Sequence, residues 1–168
     1  MRGLLIRSQS GFFTVQTESS LVVCRLRGRL KQGRRTGDII AVGDWVEISV
    51  LDDGTGMIES IEDRRTMFSR MAPTPRGEYQ QILIANPDQA IFVFACAEPE
   101  PRLRMLDRFL IVAEKAEIPA LIVFNKVDLV GMRTARKWFG HYKDIGYSIL
   151  YTSASTRRGI SALHKQLR

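Results

Sequence analysis

Ala120-Leu121-Ile122-Val123-Phe124-Asn125-Lys126-Val127-Asp128 is the stretch that decides the fold. Its first five residues form a short apolar run, the pattern of a strand buried on both faces. Asn125, Lys126 and Asp128 fall where that strand must end. In open α/β sheets, ligands bind at the carboxyl ends of the strands. The polar residues therefore stand where a ligand would be met. The plainer alternative is a polar turn that closes a strand.

Asn-Lys-x-Asp at a strand end is the pattern with which GTPases read guanine. The Asp128 carboxylate can accept from the N1–H and the exocyclic amine of guanine together. Adenine lacks that pair of donors and would leave a carboxylate unmatched. Asn125 can bond the other edge of the base, and the Lys126 stem can lie on its flat face. A second apolar run, Tyr147 to Thr152, ends in Ser153-Ala154-Ser155. GTPases carry a Ser-Ala-x element one helix after Asn-Lys-x-Asp, where the Ala backbone N–H donates to guanine O6. The segment between, Met132 to Tyr142, has helical character and stops before Gly146. The candidate guanine readers are Asn125, Lys126, Asp128, Ser153 and Ala154.

The sheet extends upstream. Ala90 to Ala95 reads as another buried strand, and Leu103 to Ala116 carries apolar residues at a helical period (Leu106, Phe109, Leu110, Ala113). Ile160 to Leu167 reads as a closing helix. Short apolar strands alternating with helices imply a parallel sheet over residues 81–168.

Residues 1–65 have a different texture. Phe12–Thr17, Leu21–Leu26, Trp45–Val50 and Gly56–Ile61 are short β-type segments separated by turns such as Gly43-Asp44 and Asp52-Asp53-Gly54. That spacing predicts a small five-stranded barrel of OB type, a fold that commonly binds oligonucleotides. Residues 66–80, with Pro73, Pro75 and Gly77, read as an irregular linker.

The 168 residues carry a net charge of +7, unevenly placed. Between positions 25 and 35 stand Arg25, Arg27, Arg29, Lys31, Arg34 and Arg35, with no acidic residue. Such a cluster suits phosphate backbones; a solvated, aggregation-resistant sheet edge would use the same residues. No apolar run approaches the roughly 20 residues of a membrane span. The start of the chain lacks a signal-peptide pattern. Cys24 and Cys96 have no metal-ligand spacing and read as packed, reduced thiols of a cytoplasmic protein. His141 and His164 are isolated and expected on solvated helix faces. No metal site is expected.

The 124 residues before Asn125 contain no Gly-Lys pair, so the phosphate loop of an ordinary GTPase, Gly-x-x-x-x-Gly-Lys-Ser/Thr, is not there. Only 13 residues follow Ser155, too few to hold that loop and its helix. With a barrel in front and the base-reading motifs first, the chain resembles the N-terminal part of the circularly permuted GTPases of the RsgA (YjeQ) family. The resemblance rests on Cys24-Arg25-Leu26-Arg27-Gly28, Val42-Gly43-Asp44-Trp45-Val46, Ile84-Ala85-Asn86-Pro87-Asp88-Gln89, Leu106-Asp107-Arg108-Phe109-Leu110, Asn125-Lys126-Val127-Asp128-Leu129 and Ser153-Ala154-Ser155, in that order.

The resemblance implies a cytoplasmic factor that binds the small ribosomal subunit and its ribosomal RNA. It implies GTP hydrolysis in the complete protein, with GTP or GDP and Mg²⁺ as ligands, and a zinc-binding unit further on. No catalytic residue carries over, and the chain is expected to be a truncated piece, inactive as a GTPase alone. The expected fold is thus an OB-type β-barrel followed by a partial, permuted, P-loop-GTPase-type parallel sheet. The sheet edge at Ala90–Ala95, apolar and lacking a neighbour, predicts self-association. Two rival readings stay open: a stand-alone RNA-binding module with a vestigial nucleotide site, and a nucleotide enzyme of another type.

Overall fold

Alternation of inward and outward side chains closes the first five strands into a barrel. In this computed structural model, residues 1–32, 37–74 and 77–167 are described. The strands are β1 (Arg2–Gln9), β2 (Phe12–Gln16), β3 (Leu21–Leu26), β4 (Trp45–Val50) and β5 (Gly56–Ile61), joined in the order β1-β2-β3-β5-β4. β4 pairs back to β1, so the sheet has no free edge. On β3, Val22, Cys24 and Leu26 point inward while Leu21, Val23 and Arg25 point out. The inward set packs with Leu5, Phe13, Val15, Val46, Ile48 and Ile58. Each of the larger side chains contributes roughly 1.5–3 kcal/mol by leaving water. The expected five-stranded barrel is thus present. β1 is the strand that alternation marks least, because Leu4-Leu5-Ile6 is a continuous apolar run across a bulge between Leu5 and Arg7.

Residues 66–80 are not an irregular linker. β6 (Met67–Thr74) and β7 (Gly77–Ala85) pair as an antiparallel hairpin. Pro73 and Gly77, two of the residues that read as linker punctuation, belong to its paired strands, and Pro75 lies outside the described residues. The hairpin is fastened to the loop that precedes β4. Asp38 accepts from the Ile82 N–H at 2.8 Å and the Tyr79 hydroxyl at 2.9 Å. The Ala85 N–H donates to the Val42 carbonyl at 2.8 Å. Gly43 has φ +94°, and a Cβ there would collide with the Ala85 carbonyl, so only glycine lets the two backbones meet. The chain accordingly divides at residue 87, into Met1–Pro87 and Asp88–Arg168, with the hairpin in the first unit.

Asp44, at the entry to β4, is fully buried. Arg64 grips it with two bonds, Nε to Oδ1 at 2.7 Å and Nη2 to Oδ2 at 2.8 Å. The Ala41 N–H adds a third at 2.7 Å, and Arg64 also donates to the Ile39 carbonyl. A buried carboxylate persists only when paired and hydrogen-bonded in this way.

In the second unit, β8 (Ala90–Ala95), β9 (Ala120–Asn125) and β10 (Ser148–Tyr151) form a parallel sheet in the order β10-β9-β8. The helices are α1 (Leu103–Lys115), α2 (Val127–Val130), α3 (Met132–Phe139), α4 (His141–Asp144) and α5 (Ile160–Gln166). The helical segment expected over 132–142 is two pieces, broken at Gly140. Central β9 is almost wholly buried, as its apolar run requires. Phe124 stacks on Phe139 with ring centroids 4.0 Å apart, and both pack with Leu106, Leu110, Ile122 and Tyr142. Among the described residues no helix is long and apolar enough to cross a membrane. Cys24 and Cys96 are buried free thiols, and His141 and His164 are exposed.

Candidate functional site

The parallel register of β9 and β10 sets Phe124 beside Tyr151, so Asn125 and Thr152 emerge together at the carboxyl end of the sheet. Three hydrogen bonds join the two exits. The Thr152 N–H donates to the Phe124 carbonyl at 2.9 Å, and the Val127 N–H to the Thr152 carbonyl at 3.1 Å. The Thr152 hydroxyl donates to Asn125 Oδ1 at 3.2 Å. That leaves the Asn125 side-chain nitrogen to donate elsewhere. On the other side the Asn125 carbonyl accepts from the Cys96 N–H, just past β8, at 2.7 Å.

Lys126 takes the left-handed conformation, φ 59° and ψ 35°, and turns the chain from β9 into α2. Buried Val127 anchors the turn, which leaves Asp128 exposed. The Lys126 Nζ donates to the Glu98 carbonyl in the loop after β8. Its stem therefore spans the mouth of the sheet.

Ser153 is fully buried and Ala154 is exposed. The Ser153 N–H bonds the Arg158 carbonyl at 2.9 Å, and its hydroxyl accepts from the Thr156 N–H at 3.1 Å. Gly159, φ +71°, closes this turn where a Cβ would meet the Tyr151 carbonyl. The Ser153 and Ser155 hydroxyls lie 3.0 Å apart, and Ser155 donates to Asp128 Oδ2 at 3.2 Å. Hydrogen bonding from Ser153, then from Ser155, with the Lys126 charge nearby, holds the Asp128 carboxyl below the usual carboxylate range. Asp128 also borders a cavity of about 300 Å³ with Val127, Gly131, Thr156 and Arg158.

The five candidate readers are thus brought to one corner. Asp128 offers an ionised, solvent-facing carboxylate, and Asn125 offers an oriented amide. The sequence reading does not single out Thr152, Ser155 and Glu98, because their contributions come from the register of neighbouring strands and loops. Among the described residues, no group of three or more His, Cys, Asp or Glu side chains is placed to hold a metal ion. This corner therefore lacks the three or four side-chain ligands that the implied zinc would need.

The basic segment is less free than its sequence reads. Arg27 Nε lies 2.8 Å from Glu59 Oε2, and Arg29 Nη2 lies 3.6 Å from the same oxygen. Glu59 comes from β5, which runs beside β3. The absence of acids between 25 and 35 says nothing of that cross-strand partner. Arg25 stands over the Phe12 ring, 4.8 Å from its centroid. Lys31 closes a 3-10 turn, Gly28–Lys31. Arg34 and Arg35 lie outside the described residues.

Comparison with known proteins fixes the family. The model described as RsgA GTPase matches residues 61–168, and the one described as RsgA N-terminal domain matches residues 2–58. The chain belongs to the RsgA GTPase family. It is 37% identical over 169 residues to the small ribosomal subunit biogenesis GTPase RsgA of Alkaliphilus metalliredigens, covering 99% of this chain and 53% of that protein. It is 39% identical over 166 residues to the RsgA of Moorella thermoacetica, covering 97% and 51%. The chain therefore spans about half the length of the curated relatives it matches. Among solved structures it resembles YjeQ from Thermotoga maritima, with a TM-score of 0.75 and 32% identity over 99% of this chain and 56% of that one. It also resembles YloQ, described as a circularly permuted GTPase, with a TM-score of 0.65 and 29% identity over 92% and 52%. The fold of an OB-like barrel plus a permuted GTPase-type sheet agrees with these RsgA-family structures.

Proposed function

We propose that these residues form the guanine-reading half of a GTPase that acts in maturation of the small ribosomal subunit. The observation that carries the reading is the hydrogen-bonded join of two motifs, Asn125–Asp128 and Ser153–Ser155, at adjacent strand ends. Asp128 accepts from N1–H and the exocyclic amine of guanine. The Ala154 N–H donates to O6, Asn125 bonds the opposite edge, and the Lys126 stem covers the face of the base. The serines keep Asp128 ionised, so the carboxylate is ready before the base arrives.

In the whole-length protein the reaction is transfer of the γ-phosphoryl group of GTP to water, with Mg²⁺ supplying charge stabilisation at the phosphates. A zinc-binding unit further along completes that protein. The contribution of this chain is base selection. Its barrel contacts ribosomal RNA in the cytoplasm, with Arg25, Arg27, Arg29, Lys31, Arg34 and Arg35 near the phosphates. In isolation the open edge of β8 pairs with another copy.

The test is Asp128→Asn in the whole-length protein. Xanthine carries a carbonyl where guanine carries its amine, and an Asn amide can donate to it. The variant should lose GTP affinity and gain xanthosine triphosphate affinity. An unchanged preference for guanine would remove Asp128 as the base reader.

A further inference from the structure

The outer face of β1, β2 and β3 carries an aromatic and cationic platform that shares only Arg25 with the 25–35 segment. Cross-strand register builds it in two rows, Arg7–Thr14–Val23 and Gln9–Phe12–Arg25. Phe12 is 46% exposed and Val23 49% exposed, which leaves apolar surface open between the polar side chains of this face. Arg7, Gln9, Ser10, Phe12, Thr14 and Val23 line a recess of about 320 Å³. Arg25 does not line it but lies on the Phe12 ring. No residue of the three strands is acidic. Asp53 is near enough to feel Arg25, but its carboxylate is engaged by the Thr55 N–H at 2.9 Å and hydroxyl at 2.6 Å.

We propose that this recess is a stacking site for one unpaired RNA base, with Phe12 as the platform. The chemistry matches the occupant. Unpaired bases stack on aromatic rings, while their phosphates seek guanidinium groups. Gln9, Ser10 and Thr14 put amide and hydroxyl groups at the rim, where a base edge would sit. Arg25 on the Phe12 ring and Arg7 at the edge of the recess, where it also donates to Gln9 Oε1 at 2.5 Å, would receive the neighbouring phosphates. A duplex, whose bases are stacked on each other, could use only the arginines.

This rests on the reading of the barrel as an RNA-binding unit, and the experiment separates the two. A single-stranded RNA hexamer with 2-aminopurine at a central position is titrated into the chain, alongside an RNA duplex of the same length. Phe12→Leu keeps the apolar bulk and removes the ring, and at a half-exposed site its folding is checked by thermal melt. Binding of the single strand should quench 2-aminopurine. Phe12→Leu should abolish the quench and weaken single-strand binding roughly ten-fold or more. Its salt dependence should not change, because no charge is lost. Phe12→Trp should restore both signals, and duplex binding should be unaffected by either change. If single strand and duplex bind but Phe12→Leu alters neither affinity nor quench, the stacking site is refuted while RNA binding stands. If neither RNA binds at low salt, both fail together.

Discussion

Ser155 donates its hydroxyl to Asp128 Oδ2 across 3.2 Å, although 27 residues separate them in the chain. The bond ties the turn after β10 to the turn after β9. Through it, two short motifs that are each weak in sequence become one polar corner.

The same bond predicts a titration. The Asp128 carboxyl is held low in the folded chain by Ser153, then Ser155. A carboxylate whose folded value lies below its unfolded value keeps those bonds at neutral pH. It loses them only as pH falls through the lowered folded value. Carbon-detected NMR of the Asp128 carboxyl should give a midpoint below that of an exposed aspartate. Ser153→Ala and Ser155→Ala should each move it up toward the ordinary range. A midpoint already ordinary in the unaltered chain would show that the serines do not hold the carboxylate.

Asp44→Ala should destabilise the first unit by about 3 kcal/mol, the low end for breaking a buried ion pair. The loss leaves Arg64 and the Ala41 N–H without their carboxylate partner. Trp45, the next residue, and Trp138 in the second unit make separate fluorescence reporters. A urea melt should shift at Trp45 and hold at Trp138. A shift below about 1 kcal/mol would mean that the Arg64–Asp44 clamp contributes little.

Both cysteines should resist alkylation at pH 8 until their own unit opens. Burial pushes the Cys24 thiol up to about 11, and burial with the Asp128 charge pushes Cys96 up. Neither presents an accessible thiolate near neutrality. Asp44→Ala should speed labelling of Cys24 and leave Cys96 unchanged. Rapid labelling of both in the native chain would contradict the burial described above.

Much of this was legible in the sequence. Strand periodicity gave the barrel and the parallel sheet, and the two motifs sit where their strands end. The β6–β7 hairpin was hidden because Pro73, Pro75 and Gly77 stand close together in the sequence and read as a break in structure, although Pro73 and Gly77 lie on paired strands. Glu59 was hidden for a different reason. It lies more than twenty residues beyond the arginines it neutralises, and only the β3–β5 pairing brings it to them. Long-range strand pairing leaves no local mark.

β8 pairs with β9 along one edge and has no partner on the other among the described residues. Val93 on it is 59% exposed. Such an edge templates pairing with a second chain. Light scattering on the 168-residue chain should show mass rising with concentration, and Val93→Lys should suppress the rise. A constant monomer mass up to high concentration would mean the edge is inert.

The most direct test of the central claim is amide NMR of the labelled chain titrated with GDP and, separately, ADP. A base alone supplies few hydrogen bonds, each of modest net worth, so millimolar ligand is needed. GDP should shift the amides of Asn125 to Asp128 and Ser153 to Ser155, with Ala154 moving most, and ADP should leave them still. Equal shifts with ADP, or GDP shifts confined to other parts of the chain, would contradict the assignment of this corner to guanine.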